Sequence, residues 1–156
     1  MTIGNIFIFL HVFTMFVAVA LSVGTALLLQ RVAAAGNIAA IRTTFGTAAP
    51  LGRRTPMVFG VGMLFGFIAA IIAQFNLLAP WLIITYVLVI VSMYLSSGIY
   101  DRWAANVGRA AAANQGDTPS PELQQLINDK RATQATYANI VIIALIVLVM
   151  VIRPFS

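Results

Sequence analysis

The chain has no cysteine, one histidine, four acidic side chains and only 8% charged residues in a length of 156. Each scarcity excludes something. Without cysteine there is no disulfide, no thiolate metal site and no thiol nucleophile, so the redox compartment leaves no mark on the sequence. With His11 alone, two histidines cannot ligate one haem inside one subunit. The serines lack a base at their own depth, because His11 lies towards one end of the first apolar run while Ser92, Ser96 and Ser97 lie towards the opposite side. No carboxylate stands between the boundaries of an apolar run, which argues against a proton-coupled carrier. There is no GxSxG, no phosphate-binding loop and no carboxylate pair. Catalysis by this subunit alone therefore fails its pocket and acid/base requirements, and the chain reads as a non-enzyme.

What is abundant is apolar length. Hydrophobic residues make up 61% of the chain and the mean hydropathy is +0.97. Residues 5–30, 57–75, 80–100 and 137–152 contain no Asp, Glu, Lys or Arg, and about 20 such residues cross the roughly 30 Å hydrocarbon core as a helix. The last run is just long enough, with Arg153 able to snorkel. The expected fold is all-α: one polytopic bundle of four transmembrane helices over residues 1–156. The first run has no basic n-region and exceeds a signal-peptide core, so it reads as a retained span.

Basic residues give an orientation. Arg31, Arg42, Arg53 and Arg54 follow the first run, and Arg102, Arg109, Lys130 and Arg131 follow the third, leaving only Arg153 of the nine. The positive-inside rule predicts segments 31–56 and 101–136 in the cytoplasm, with both termini outside. Net charge +5 then reports topology and not nucleic-acid binding. The expected partners are the lipid bilayer and other membrane subunits or a second copy, in a bacterial cytoplasmic membrane. Trp81, Tyr100, Trp103 and Tyr137 sit where aromatic belts are expected.

Local signals place the helix ends. Thr55-Pro56 predicts a cap and a first-turn proline for the second span, Pro80 starts the third, and Ser120-Pro121-Glu122 starts the fourth. Nothing from Pro121 to Arg153 breaks the last helix, so it should run beyond the bilayer by about four turns. The third span should likewise continue past residue 101, and the two should form a cytoplasmic hairpin turning at 115–120. In it Trp103 and Val107 face Leu123, Leu126 and Ile127, and Arg109 lies within reach of Glu122 or Asp129. Trp103, Arg109, Glu122 and Asp129 are the candidate partner surface; a linker is the alternative. Val32, Ile38, Ile41 and Phe45 predict a short amphipathic helix over 31–49 on the membrane surface.

Small residues four apart mark where helices approach in lipid. Ala18, Ser22 and Ala26 on the first span, Gly62, Gly66 and Ala70 on the second, and Ser92 and Ser96 on the third predict that these three pack closely. The Ile/Val/Leu-rich fourth should lie at the periphery. His11 shares a face with Met15 and Ala18, and Gln74 and Met150 lie at matching depth. Two readings stay open for His11: a ligand for haem b or for copper together with Met15 or Met150, or an imidazole hydrogen-bonded to Gln74 or a backbone carbonyl.

The segments Phe9-Leu10-His11-Val12, Arg53-Arg54-Thr55-Pro56, Met63-Leu64-Phe65-Gly66 and Ala79-Pro80-Trp81-Leu82 resemble the predicted four-helix integral membrane proteins of unknown function. These are distantly similar to CopD-type copper-resistance and haem-binding membrane proteins. The resemblance covers nearly the whole chain in layout and implies that His11 is a candidate haem ligand. The expected function is a non-catalytic accessory subunit that scaffolds a larger membrane complex, such as a respiratory or photosynthetic one. The alternative is a small haem b or copper electron-transfer protein.

Overall fold

The computed structural model describes residues 2–154. It contains four helices or helix pairs long and apolar enough to cross a membrane: Ile3–Ala34, Ile38–Ile72, Pro80–Ala113 and Pro121–Ile152. This is the architecture of a multi-pass membrane protein. In detail the elements are α1 (Ile3–Ala34), α2 (Ile38–Gly52), α3 (Thr55–Ile72), α4 (Pro80–Met93), a π-helical segment (Tyr94–Tyr100), α5 (Asp101–Ala113), α6 (Pro121–Ile127) and α7 (Lys130–Ile152).

Glycine sets the α1/α3 contact. The two helices run antiparallel in constant register: Gly4 meets Ile72, His11 meets Gly66, Met15 meets Gly62, and Thr25 meets Gly52 at the end of α2. A Cβ on Gly62 would lie 2.8 Å from the Met15 sulfur and one on Gly66 2.7 Å from the His11 ring. Larger residues at those two places would hold the backbones apart.

The second pair is α4 with α7, joined by polar groups. Ser92 Oγ donates to Asn139 Oδ1 at 2.6 Å, and Asn139 Nδ2 donates to Ser96 Oγ at 3.0 Å. The Ser92/Ser96 stripe therefore packs on the fourth span, not on the first two as expected, because Asn139 offers an amide that hydrocarbon leaves unsatisfied. Gln30 Nε2 links α1 to α7 by donating to Thr136 Oγ1 at 2.7 Å and to the Ala132 carbonyl at 3.2 Å.

At the end where the basic residues gather, both pairs share one core of Leu29, Ala33, Ile38, Ile41, Phe45, Tyr100, Trp103, Val107, Leu123 and Ala132 with their neighbours. The Trp103 ring lies 5.8 Å from Phe45 and 5.6 Å from Tyr100, centroid to centroid. Arg42 closes the C-terminal end of α5, donating to the carbonyls of Ala111 (3.3 Å) and Asn114 (2.7 Å), where the helix dipole favours a cation. Asn114 orders the following turn through the carbonyls of Gly116 and Thr118 and the amide of Ser120.

Several expectations change here. The amphipathic helix starts later, at Ile38 behind the Asn37 cap; Val32 belongs to α1, and Ile38, Ile41 and Phe45 face the protein core instead of lipid. Thr55 opens α3 without capping it, and its buried hydroxyl has no partner among the described residues. The last helix is broken at Asn128 and Asp129. Trp103 Nε1 donates to the Leu126 carbonyl at 2.8 Å, the acceptor that a continuous helix gives to residue 130, and Asp129 caps α7 instead through the Arg131 amide.

At the other end, aromatic contacts tie α3 to α4: Phe67 stacks on Tyr86 at 5.9 Å, and Phe75 meets Trp81 edge-on at 6.1 Å. Arg153, in the left-handed region at the end of α7, places its guanidinium 4.9 Å from the Phe75 ring and 5.6 Å from that of Trp81.

Leu123, on α6, is fully buried in the core. Leu123→Ala should destabilise the basic end by about 2–5 kcal/mol, the usual range for emptying such a site. In detergent this reads as earlier thermal unfolding and faster proteolysis of residues 114–129. Unchanged protection would show that α6 contributes nothing to the core.

Candidate functional site

Half-buried on α1, His11 brings Nδ1 to 2.7 Å from the Gly62 carbonyl oxygen. A carbonyl only accepts, so Nδ1 carries the hydrogen and, in the neutral ring, Nε2 is left as the lone pair. The ring lies against the bare backbone of Gly66. Glycine at 62 and 66 thus does two jobs: it permits the approach, and it places the Gly62 carbonyl where the imidazole needs a partner.

The expected contact with Gln74 is not made. Helix α3 ends at Ile72, and Gln74 is exposed in the turn with φ of 56°. Of the two partners expected for a bonded imidazole, the backbone carbonyl is the one present.

His11 lies on the wall of a cleft of about 600 Å³. Its volume is in the range of small-molecule sites, and its lining follows the same pattern of apolar walls with a few polar groups. Met15 and Met150 line the same cleft, with the Met15 sulfur packed against Gly62. Val12, Phe16, Val19, Phe59, Ile143 and Val147 supply apolar wall. Ala18 and Ser22, expected as packing residues, also line it, as do Ser92 and Ser96. Ala70 is not among the lining residues.

Polar groups gather towards the basic end. Asn139 arrives from α7, and Ser96, Ser97, Tyr100 and Asp101 come from the π segment or the residue after it. Ser97 Oγ donates to the Met93 carbonyl at 2.7 Å, and Tyr100 Oη reaches the Thr25 carbonyl at 3.5 Å. Nothing local in the sequence singles out Asn139 or Asp101. Asn139 stands near the start of the fourth apolar run, two residues after Tyr137, and Asp101 reads as a boundary charge.

The candidate partner surface disperses. Trp103 is buried and bonded to Leu126. Arg109 is exposed and donates to Asn106 Oδ1 at 2.6 Å, on its own helix, instead of pairing with Glu122 or Asp129. Glu122 is exposed in the first turn of α6, and Asp129 is occupied as a cap. Arg109, Glu122 and Asp129 stay exposed, whereas Trp103 does not. Among the described residues no three His, Cys, Asp or Glu side chains cluster as a metal site, so any metal here would rest on one imidazole and thioether sulfur.

No family model matches the chain, and comparison with curated proteins and with solved structures likewise finds no match.

The Gly66 contact generates a test. Gly66→Ala puts a methyl group into the His11 ring and should cost about 1–3 kcal/mol, as overpacking does. Gly60→Ala, where nothing lies within 4 Å, should be neutral or slightly stabilising. Thermal unfolding in detergent compares them; equal melting temperatures would remove Gly66 from the interface.

Proposed function

We propose that the protein is a non-catalytic membrane protein that uses His11 to hold a metal centre, haem b or copper, in the cleft between its helices. The observation that carries this reading is the orientation of His11. Its Nδ1 is engaged by Gly62, and its Nε2 remains available for ligation. An imidazole with thioethers suits both groups: haem iron takes histidine as an axial ligand, and copper(I) favours histidine and methionine. The chemistry such a centre supplies is one-electron transfer. The protein's part is to orient the ring through the Gly62 carbonyl and to keep water away with the walls from Val12 to Val147. The resemblance read from the sequence, to four-helix proteins distantly similar to CopD-type proteins in which a first-helix histidine is a candidate ligand, is consistent with this reading.

A second reading is favoured by the continuation of the cleft wall onto exposed apolar side chains, Val12 and Phe16 on α1 and Val147 and Val151 on α7. That shape also suits a neighbouring subunit's helix. In this reading the chain is an accessory subunit scaffolding a larger membrane complex. Under both readings we place the basic segments in the cytoplasm and both termini outside, in a bacterial cytoplasmic membrane.

A visible spectrum and metal analysis of the purified protein decide between them. A Soret band, or bound copper, that is lost in His11→Ala supports the metal centre. A colourless, metal-free protein migrating with other polypeptides supports the scaffold and overturns the first reading. For the orientation, a reporter fused after Arg153 should be active outside the cytoplasm; activity only inside would reverse it.

A further inference from the structure

Beside the cleft, and sharing Ser22, Ser96, Tyr100 and Asn139 with it, lies a much smaller pocket of about 10 Å³. Its polar lining comes from three elements: Ser22 on α1, Ser96 and Tyr100 on the π segment, and Thr136 and Asn139 on α7. The rest of the wall is aliphatic. Space of that size takes one water and nothing larger. It also brings every lining side chain within reach of a single molecule, a convergence that the large cleft does not imply.

The hydrogen bonds of this lining are incomplete. Thr136 is spent, accepting from Gln30 and donating to the Ala132 carbonyl. Asn139 accepts from Ser92 and gives an amide hydrogen to Ser96, which leaves the second Asn139 N–H and the Ser96 O–H undonated. Ser22 takes part only through its backbone carbonyl; its hydroxyl does not turn back onto its own helix as those of Thr25 and Ser97 do. Tyr100 Oη reaches the Thr25 carbonyl at 3.5 Å and keeps its lone pairs. Unpaired polar groups are costly at membrane depth.

We propose that this pocket is the site of one internal water joining the two transmembrane pairs. The water accepts from Ser96 Oγ and Asn139 Nδ2 and donates to Ser22 Oγ and Tyr100 Oη, a set within the usual two to four bonds of a buried water. It carries the Ser92–Asn139–Ser96 relay across to α1. The direct polar tie between α1 and α7, at Gln30, lies about 12 Å further along the helix at 1.5 Å per residue. His11, Met15 and Met150 do not line the pocket, so the water site stands whether or not the cleft holds a metal.

The test uses the full chain, labelled with nitrogen-15 in deuterated detergent, and reads cross-relaxation between water and the Asn139 side-chain amide. A held water gives NOE and ROE cross-peaks of opposite sign, which passing solvent does not. The unaltered chain should show them. Ser22→Ala should keep them, because Ser96, Asn139 and Tyr100 remain as partners, and Ser22→Val should lose them, because the added methyl groups fill the space. Absence of the cross-peaks in the unaltered chain overturns the site. So does their loss in Ser22→Ala, which would make the Ser22 hydroxyl, exchanging with solvent, their source. Survival in Ser22→Val also overturns it, by assigning them to exchange at Ser92 or Ser96. If Ser22→Val does not fold, Val23→Ile, one methylene longer at the half-buried wall of the same pocket, takes its place with the same readout.

Discussion

Inside a bilayer an apolar side chain gains nothing by exchanging lipid for protein, so helices associate through close backbone approach and shared hydrogen bonds. Each transmembrane pair here relies mainly on one of these, α1 and α3 adding the His11–Gly62 hydrogen bond. Between α1 and α3 it is glycine, with Gly62 and Gly66 admitting Met15 and His11. Between α4 and α7 it is the Ser92–Asn139–Ser96 relay. At the basic end the two pairs join around Leu29, Ile41, Phe45, Trp103 and Val107. The cleft is the space left where neither mechanism closes the gap between α1 and α7.

The π segment connects these regimes. Its widened turn interrupts the regular ladder between α4 and α5, and it lies between Ser92, which faces Asn139, and Trp103, which faces Phe45 and Leu126. The same seven residues carry Ser96, Ser97 and Tyr100 to the cleft. A local irregularity therefore serves both the core and the pocket, and Asp101 follows it on the cleft wall.

Charge-free length made the four spans legible, because nothing other than a membrane helix tolerates it. Glycine and small-residue spacing made the α1/α3 contact legible as well. The register was not: counting put Gln74 level with His11, but the antiparallel register sets Gly66 opposite His11 and leaves Gln74 eight residues further on, in the turn beyond Ile72. The break at Asn128–Asp129 was hidden for a related reason. Its cause is the Trp103 indole taking the Leu126 carbonyl, a contact between positions distant in sequence. The π segment had no periodic signature at all, since Ser, Gly and Tyr are equally at home in an α-helix within lipid. Of the site, His11, Met15 and Met150 were legible by depth, while Asn139 acquired meaning only from the helices it faces.

Opposite the basic core, Arg153 rests on Phe75 and Trp81, and the two non-glycine residues with left-handed backbones among the described residues, Gln74 and Arg153, both lie at this corner. A guanidinium over two rings is sensitive to sliding more than to tilting, since the attraction falls once the cation leaves the ring faces. The corner therefore acts as a stop against shear: α7 cannot advance one helical turn past the α3–α4 connection, a displacement of about 5.4 Å, without withdrawing Arg153 from both rings.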